Sequence, residues 1–95
     1  MKKSTIMIVE DELIISQELS MILNRMGYSV TSMVSSGDAA IKNAEQDRPD
    51  IILMDINLKG AMDGIEAADI ITSRCKIPVI FLTACSDDER FKRAN

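Results

Sequence analysis

The chain has 95 residues, enough for one domain that buries only about 60–65% of the surface its unfolded form exposes. At 46% hydrophobic and 27% charged it is too apolar for disorder, and a net charge of −4 excludes a dedicated nucleic-acid surface, which would concentrate Lys and Arg. It has no run of roughly 18 apolar residues to cross a membrane, and the apolar stretch Thr5 to Val9 behind Met1-Lys2-Lys3-Ser4 is too short for a signal peptide.

Aromatic residues make up only 3%, so the core must come from Ile, Leu, Val, Ala and the seven Met. The two cysteines, Cys75 and Cys85, have neither a metal-ligand spacing nor a disulfide framework. They read as small hydrophobes, and two free thiols suit a reducing, cytoplasmic setting.

Thr5-Ile6-Met7-Ile8-Val9 is a β-branched apolar run that predicts a buried parallel strand, and Glu10-Asp11-Glu12 ends it with three acids. From Leu13 to Met26 the residues Ile15, Leu19, Ile22, Leu23 and Met26 recur at helical steps, and Gly27 is placed to close that helix in the left-handed region. Tyr28 to Val34 predicts a second, more polar strand. Ser36-Gly37-Asp38 starts a second helix with Ala40, Ile41 and Ala44 as its apolar stripe, which Pro49 ends.

Ile51 to Met54 predicts a third strand ending on Asp55, and after a loop with Gly60 and Gly64 a third helix is expected over about 65–74. Pro78 to Leu82 predicts a fourth strand ending on Thr83. Ser86 with Glu89 three residues on is a capping-box pattern that opens a fourth helix, still running at Asn95.

This alternation implies βαβ units, a parallel sheet with helices on both faces, and chemistry at the carboxyl ends of the strands. The residues there are Glu10, Asp11, Asp55 and Thr83. Clustered carboxylates raise one another's proton affinity unless a counter-charge is present. An oxygen-only donor set without His or Cys suits Mg²⁺ rather than zinc.

The stretches 6–12, 50–55, Met62-Asp63-Gly64 and 79–84 resemble, in order, the receiver domains of response regulators, the chemotaxis receiver among them. The resemblance implies a flavodoxin-like sheet of order 2-1-3-4-5. The fifth strand and helix are not found here, so the expected order is 2-1-3-4, in a receiver domain over 1–95 that is incomplete at its C-terminus and carries no output domain.

The resemblance also implies roles. Asp55 matches the acceptor of a phosphoryl group from a sensor histidine kinase or phosphotransfer protein. Asp11 matches a direct Mg²⁺ ligand, Glu10 the acid that helps hold it, and the backbone carbonyl of Asn57 a third protein ligand. Thr83 matches the hydroxyl that switches on phosphorylation, and Ala84 the small residue that leaves it room.

Two departures stand out. The loop 56–64 lacks the family's usual proline, is one residue longer, and has Lys59-Gly60 in place of a rigid turn. The family's phosphate-pairing lysine at the end of the fifth strand has no counterpart, since Lys92 falls in the expected fourth helix.

Two other functions compete. One is a receiver-like scaffold that no longer signals. The other is an Mg²⁺-dependent phosphatase resembling the haloacid dehalogenase family, which would need an acid where Asn57 stands. A bare fourth-strand edge, Val79 to Thr83, also predicts self-association.

Overall fold

The computed structural model describes residues 3–58 and 60–82. These form β1 (Thr5–Val9), α1 (Leu13–Arg25), β2 (Ser29–Val34), α2 (Gly37–Asp47), β3 (Ile51–Asp55), α3 (Gly64–Cys75) and β4 (Val79–Leu82). The strands make one parallel sheet in the order β2-β1-β3-β4, as expected. The helix expected from Ser86 onward lies outside the described residues.

The two central strands are apolar on both faces because both faces are covered. Met7 and Val9 of β1, with Ile52 and Met54 of β3, pack against Ala40 and Ala44 of α2 and Ala67, Ile71 and Cys75 of α3. Alternation along a strand sends Ile6 and Ile8 to the opposite face, where both are buried and where α1 rests on β1 and β2. Alanines at the α2–α3 contact let the two helices approach closely with few aromatic residues in the chain. Among the described residues the sheet thus separates a layer of two helices, α2 and α3, from α1.

Helix α1 departs from its expected face. Ser16 is its fully buried residue, Ile15, Leu19 and Leu23 are half-buried, and Ile22 and Met26 are 50% and 64% exposed. The helix is rolled so that Ser16 and Leu23 lead into the sheet. The outer flank of the apolar stripe, Ile22 and Met26, has no covering element among the described residues.

Local signals explain most boundaries. Gly27 has φ +96°, the left-handed closure expected after α1. The Ser36 hydroxyl accepts from the Ala39 N–H at 3.2 Å and caps α2. Helix α2 ends at Asp47, with Arg48 in the left-handed region immediately before Pro49. Strand β2 begins one residue later than expected, β3 takes in Asp55, and α3 begins at Gly64 instead of Ile65.

That last shift positions the site. Asp63 and Glu66 form a capping box: Asp63 accepts from the Glu66 N–H at 2.9 Å, and Glu66 accepts from the Asp63 N–H at 3.2 Å. The Gly64 N–H donates to the Ile56 carbonyl at 3.0 Å. A Cβ on Gly64 would collide with the Asp55 carbonyl oxygen and lie 2.9 Å from the Ile56 Cα. Only glycine lets α3 start directly against the backbone of Asp55.

Gly64→Ala is therefore expected to destabilise the fold by about 1–3 kcal/mol, the range for overpacking against backbone. Ser73→Ala, exposed on the same helix, should change it by no more than about 0.5 kcal/mol. Urea unfolding of the two variants checks the contrast.

Candidate functional site

The register of β1 on β3 assembles the site. Val9 pairs with Met54, so the next residues, Glu10 and Asp55, emerge side by side at the carboxyl edge, with Asp11 following at the start of the β1–α1 turn. Carboxylate oxygens of Glu10, Asp11 and Asp55 all lie within 4.8 Å of one another. Sequence reasoning named these residues, and the structure brings them together.

Each is held differently. Glu10 is only 7% exposed; its N–H donates to the Val34 carbonyl at 2.9 Å, and its side chain accepts from the Glu12 N–H at 3.0 Å. Asp55 is half-buried, and its Oδ1 accepts from the Asn57 N–H at 3.1 Å. Asp11 is half-buried as well. Asn57 is exposed in the loop after β3, while Thr83 and Ala84 lie outside the described residues.

Unit charges about 4 Å apart repel by about 4 kcal/mol at an effective dielectric near 20. Glu10 shows the consequence. Burial, then the charge of Asp55 and its contacts with Asp11, push its carboxyl up to about 7, against a partial opposing effect of the Glu12 N–H. Among the described residues the ion pair found is Arg74 with Glu45 at 3.8 Å, which involves none of the three. The chain has no histidine.

The donor set is thus all oxygen and crowded, with no cation ion-paired to it among the described residues, and it fits a hard divalent cation such as Mg²⁺. Glu10, Asp11 and Asp55 would hold it. The signals that sequence reasoning passed over are the Asp63–Glu66 capping box, visible as an acid with Glu three residues on, and the role of Gly64. The latter depends on backbone proximity that no local pattern encodes.

A flavodoxin-like sheet with an acidic cluster at its carboxyl edge, the place where open α/β sheets bind their ligands, defines the class. Comparison with known proteins narrows it: the response regulator receiver domain profile matches residues 6–95, and the chain belongs to that family. It is 35% identical over 89 residues to the transcriptional regulatory protein PdtaR of Mycobacterium tuberculosis, covering 94% of this chain and 43% of that protein. It is also 35% identical over 80 residues to the phyllosphere-induced regulator PhyR of Methylorubrum extorquens, covering 83% of this chain and 30% of that one. The chain therefore spans less than half the length of these relatives.

Among solved structures, it matches the signal receiver domain of a modulated diguanylate cyclase from Desulfovibrio desulfuricans, described as an example of alternate folding. The TM-score is 0.84 at 40% identity, with 96% of this chain and 73% of that one covered. The anti-anti-sigma factor PhyR of Bartonella quintana, solved in complex with the anti-sigma factor NepR, matches with a TM-score of 0.79 at 33% identity, covering 86% of this chain and 34% of that one. Receiver domains are signalling modules of two-component systems. No described helix is long and apolar enough to cross a membrane.

The raised Glu10 carboxyl gives a pH signature. With a folded pKa near 7 against an ordinary 4.5, the folded state holds this proton more tightly than the unfolded state. Its contribution to stability is full below about pH 4.5 and is lost as the pH rises toward 7. In chelator, Glu10→Gln should flatten that loss and be more stable than the parent at neutral pH. Urea unfolding across this pH range measures it.

Proposed function

We propose that this chain is a phosphoacceptor receiver in which Asp55 takes a phosphoryl group from the phosphohistidine of a sensor kinase or phosphotransfer protein in the cytoplasm. The observation that carries the reading is the Glu10–Asp11–Asp55 cluster, with the half-buried Asp55 at the exposed end of a central strand. Membership of the receiver family supports it.

The Asn57 N–H occupies Asp55 Oδ1 and leaves Oδ2 as the nucleophile. Oδ2 attacks phosphorus as the bond from phosphorus to the donor's imidazole nitrogen breaks, and that nitrogen keeps the electron pair. An acyl phosphate forms on Asp55. Glu10, Asp11, Asp55 and, by resemblance, the Asn57 carbonyl would hold Mg²⁺, which when bound would supply counter-charge to the phosphoryl oxygens. The hydrogen bond from the Glu12 N–H keeps the Glu10 carboxylate turned toward the cluster. Phosphorylation adds about 1.5–2 negative charges beside Asp55. By resemblance, Thr83 turns toward that charge and Ala84 leaves it room.

Asp55→Asn should abolish Mg²⁺-dependent labelling by acetyl phosphate, followed by mass spectrometry, while preserving cooperative unfolding. Labelling that persists in Asp55→Asn would remove Asp55 from the role.

A receiver-like scaffold is the second reading, and one surface favours it. Strand β4 pairs only with β3 among the described residues, with Ile80 52% exposed. Self-association through this edge is the narrower proposal. Sedimentation should show a concentration-dependent dimer that Ile80→Lys weakens; a monomer at every concentration would oppose it.

A further inference from the structure

Gly37 opens α2, is buried, and has no positive φ, so its backbone conformation does not call for glycine. Alanine ordinarily serves a helical turn better, because glycine gives up more chain entropy on folding. Space explains the residue instead. A Cβ on Gly37 would lie 3.1 Å from the Met62 Sδ, 3.2 Å from the Met62 Cβ and 3.2 Å from the Ala67 Cβ. The bare backbone of α2 is thus a seat for a side chain of the β3–α3 loop. Met62 fills it, half-buried against the core that α2 and α3 share.

The loop that carries Met62 is anchored twice. Leu58, only 6% exposed, belongs to the same core cluster, and Met62 is the second anchor. Between them Gly60 and Ala61 are exposed, and a Cβ on Gly60 would meet nothing within 4 Å. One arm of the loop is the site itself. Asn57 immediately precedes Leu58, and its N–H donates to Asp55 Oδ1 at 3.1 Å. The other arm runs into Asp63, which caps α3, and Gly64, whose N–H returns to the Ile56 carbonyl at 3.0 Å.

We propose that Gly37 and Met62 are positioning residues. Their contact seats the loop on α2 so that the Asn57 N–H stays on Asp55 Oδ1 and Oδ2 is left for a cation or phosphoryl group. Neither residue belongs to the acidic cluster, and both act through the loop. The inference rests on the phosphoacceptor reading for the use made of Oδ2, whereas the seat rests on packing alone.

Filling the seat and emptying it should have the same effect. Gly37→Ala crowds Met62 out, and Met62→Ala removes the second anchor, while Met62→Leu keeps an apolar side chain of similar volume. In the full chain, the shift and hydrogen-exchange rate of the Asn57 amide in chelator read the loop directly. Mg²⁺ titration followed by NMR, without phosphodonor, reads the cation site. Gly37→Ala and Met62→Ala should each speed Asn57 exchange and weaken Mg²⁺ binding about tenfold, as when a group that orients a metal ligand is lost. Met62→Leu should leave both near the parent values, and Ala61→Ser, in the unpacked tip, should change neither. The urea midpoint of Gly37→Ala should stay close to the parent's, since helical alanine offsets the crowding of a flexible thioether.

Parent-like Asn57 exchange and Mg²⁺ binding in Gly37→Ala and Met62→Ala would overturn the proposal, as would losses that only track a lowered urea midpoint. If Met62→Ala does not fold, Gly37→Ala decides on the same two readouts. A chain in which the seat governs Asn57 and Mg²⁺, yet acetyl phosphate does not label Asp55, would remove the phosphoacceptor reading and leave the seat standing.

Discussion

Three carboxylates that repel one another are forced within 4.8 Å at the edge of a parallel sheet, and the rest of the site follows from how the fold holds them there. The core does most of this. Residues Met7, Ile8, Val9, Ile52 and Met54, all fully buried, fix β1 against β3 in a register that delivers Glu10 and Asp55 side by side. A strand shifted by one residue would exchange the side chains packed against α2 and α3 for those on the opposite face, so the register that fits both faces also fixes the acids. Cluster repulsion is small beside the apolar burial it opposes, and burial, with that repulsion added, raises the proton affinity of the most buried member, Glu10.

Around that constraint the backbone supplies detail. The Glu12 and Asn57 N–H groups each hold one carboxylate, and Gly64 lets α3 begin against the Asp55 carbonyl. The hydrogen bond to Asp55 leaves one of its oxygens without that partner. Such an arrangement suits occupation by a cation, because the empty state carries its own electrostatic cost.

Much of this was legible in the residues. The apolar runs of β1 and β3 marked buried strands and that of β4 a further strand, and the acids stand at the ends of the first two, so order and edge could be read together. Gly27, Ser36 and Pro49 marked helix ends through local chemistry that needs no tertiary context. The roll of α1 was not legible, since a stripe from Ile15 to Met26 is wide enough to allow several orientations, and the sheet selected the one that buries Ser16. The close approach at Gly64 and the seat of Met62 on Gly37 arise from elements distant in sequence, which periodicity does not reveal. Thr83 and Ala84 remain assignments by resemblance.

The central claim is that the carboxylate cluster is a cation site under electrostatic tension, and thermal unfolding with and without Mg²⁺ at neutral pH tests it most directly. Binding to the folded state alone adds about 2.7 kcal/mol of stability at a ligand concentration one hundred times the Kd. The account predicts that Mg²⁺ raises the unfolding midpoint of the parent chain and leaves that of Asp11→Ala nearly unchanged. A midpoint insensitive to Mg²⁺ in the parent, or one raised equally in Asp11→Ala, would contradict it.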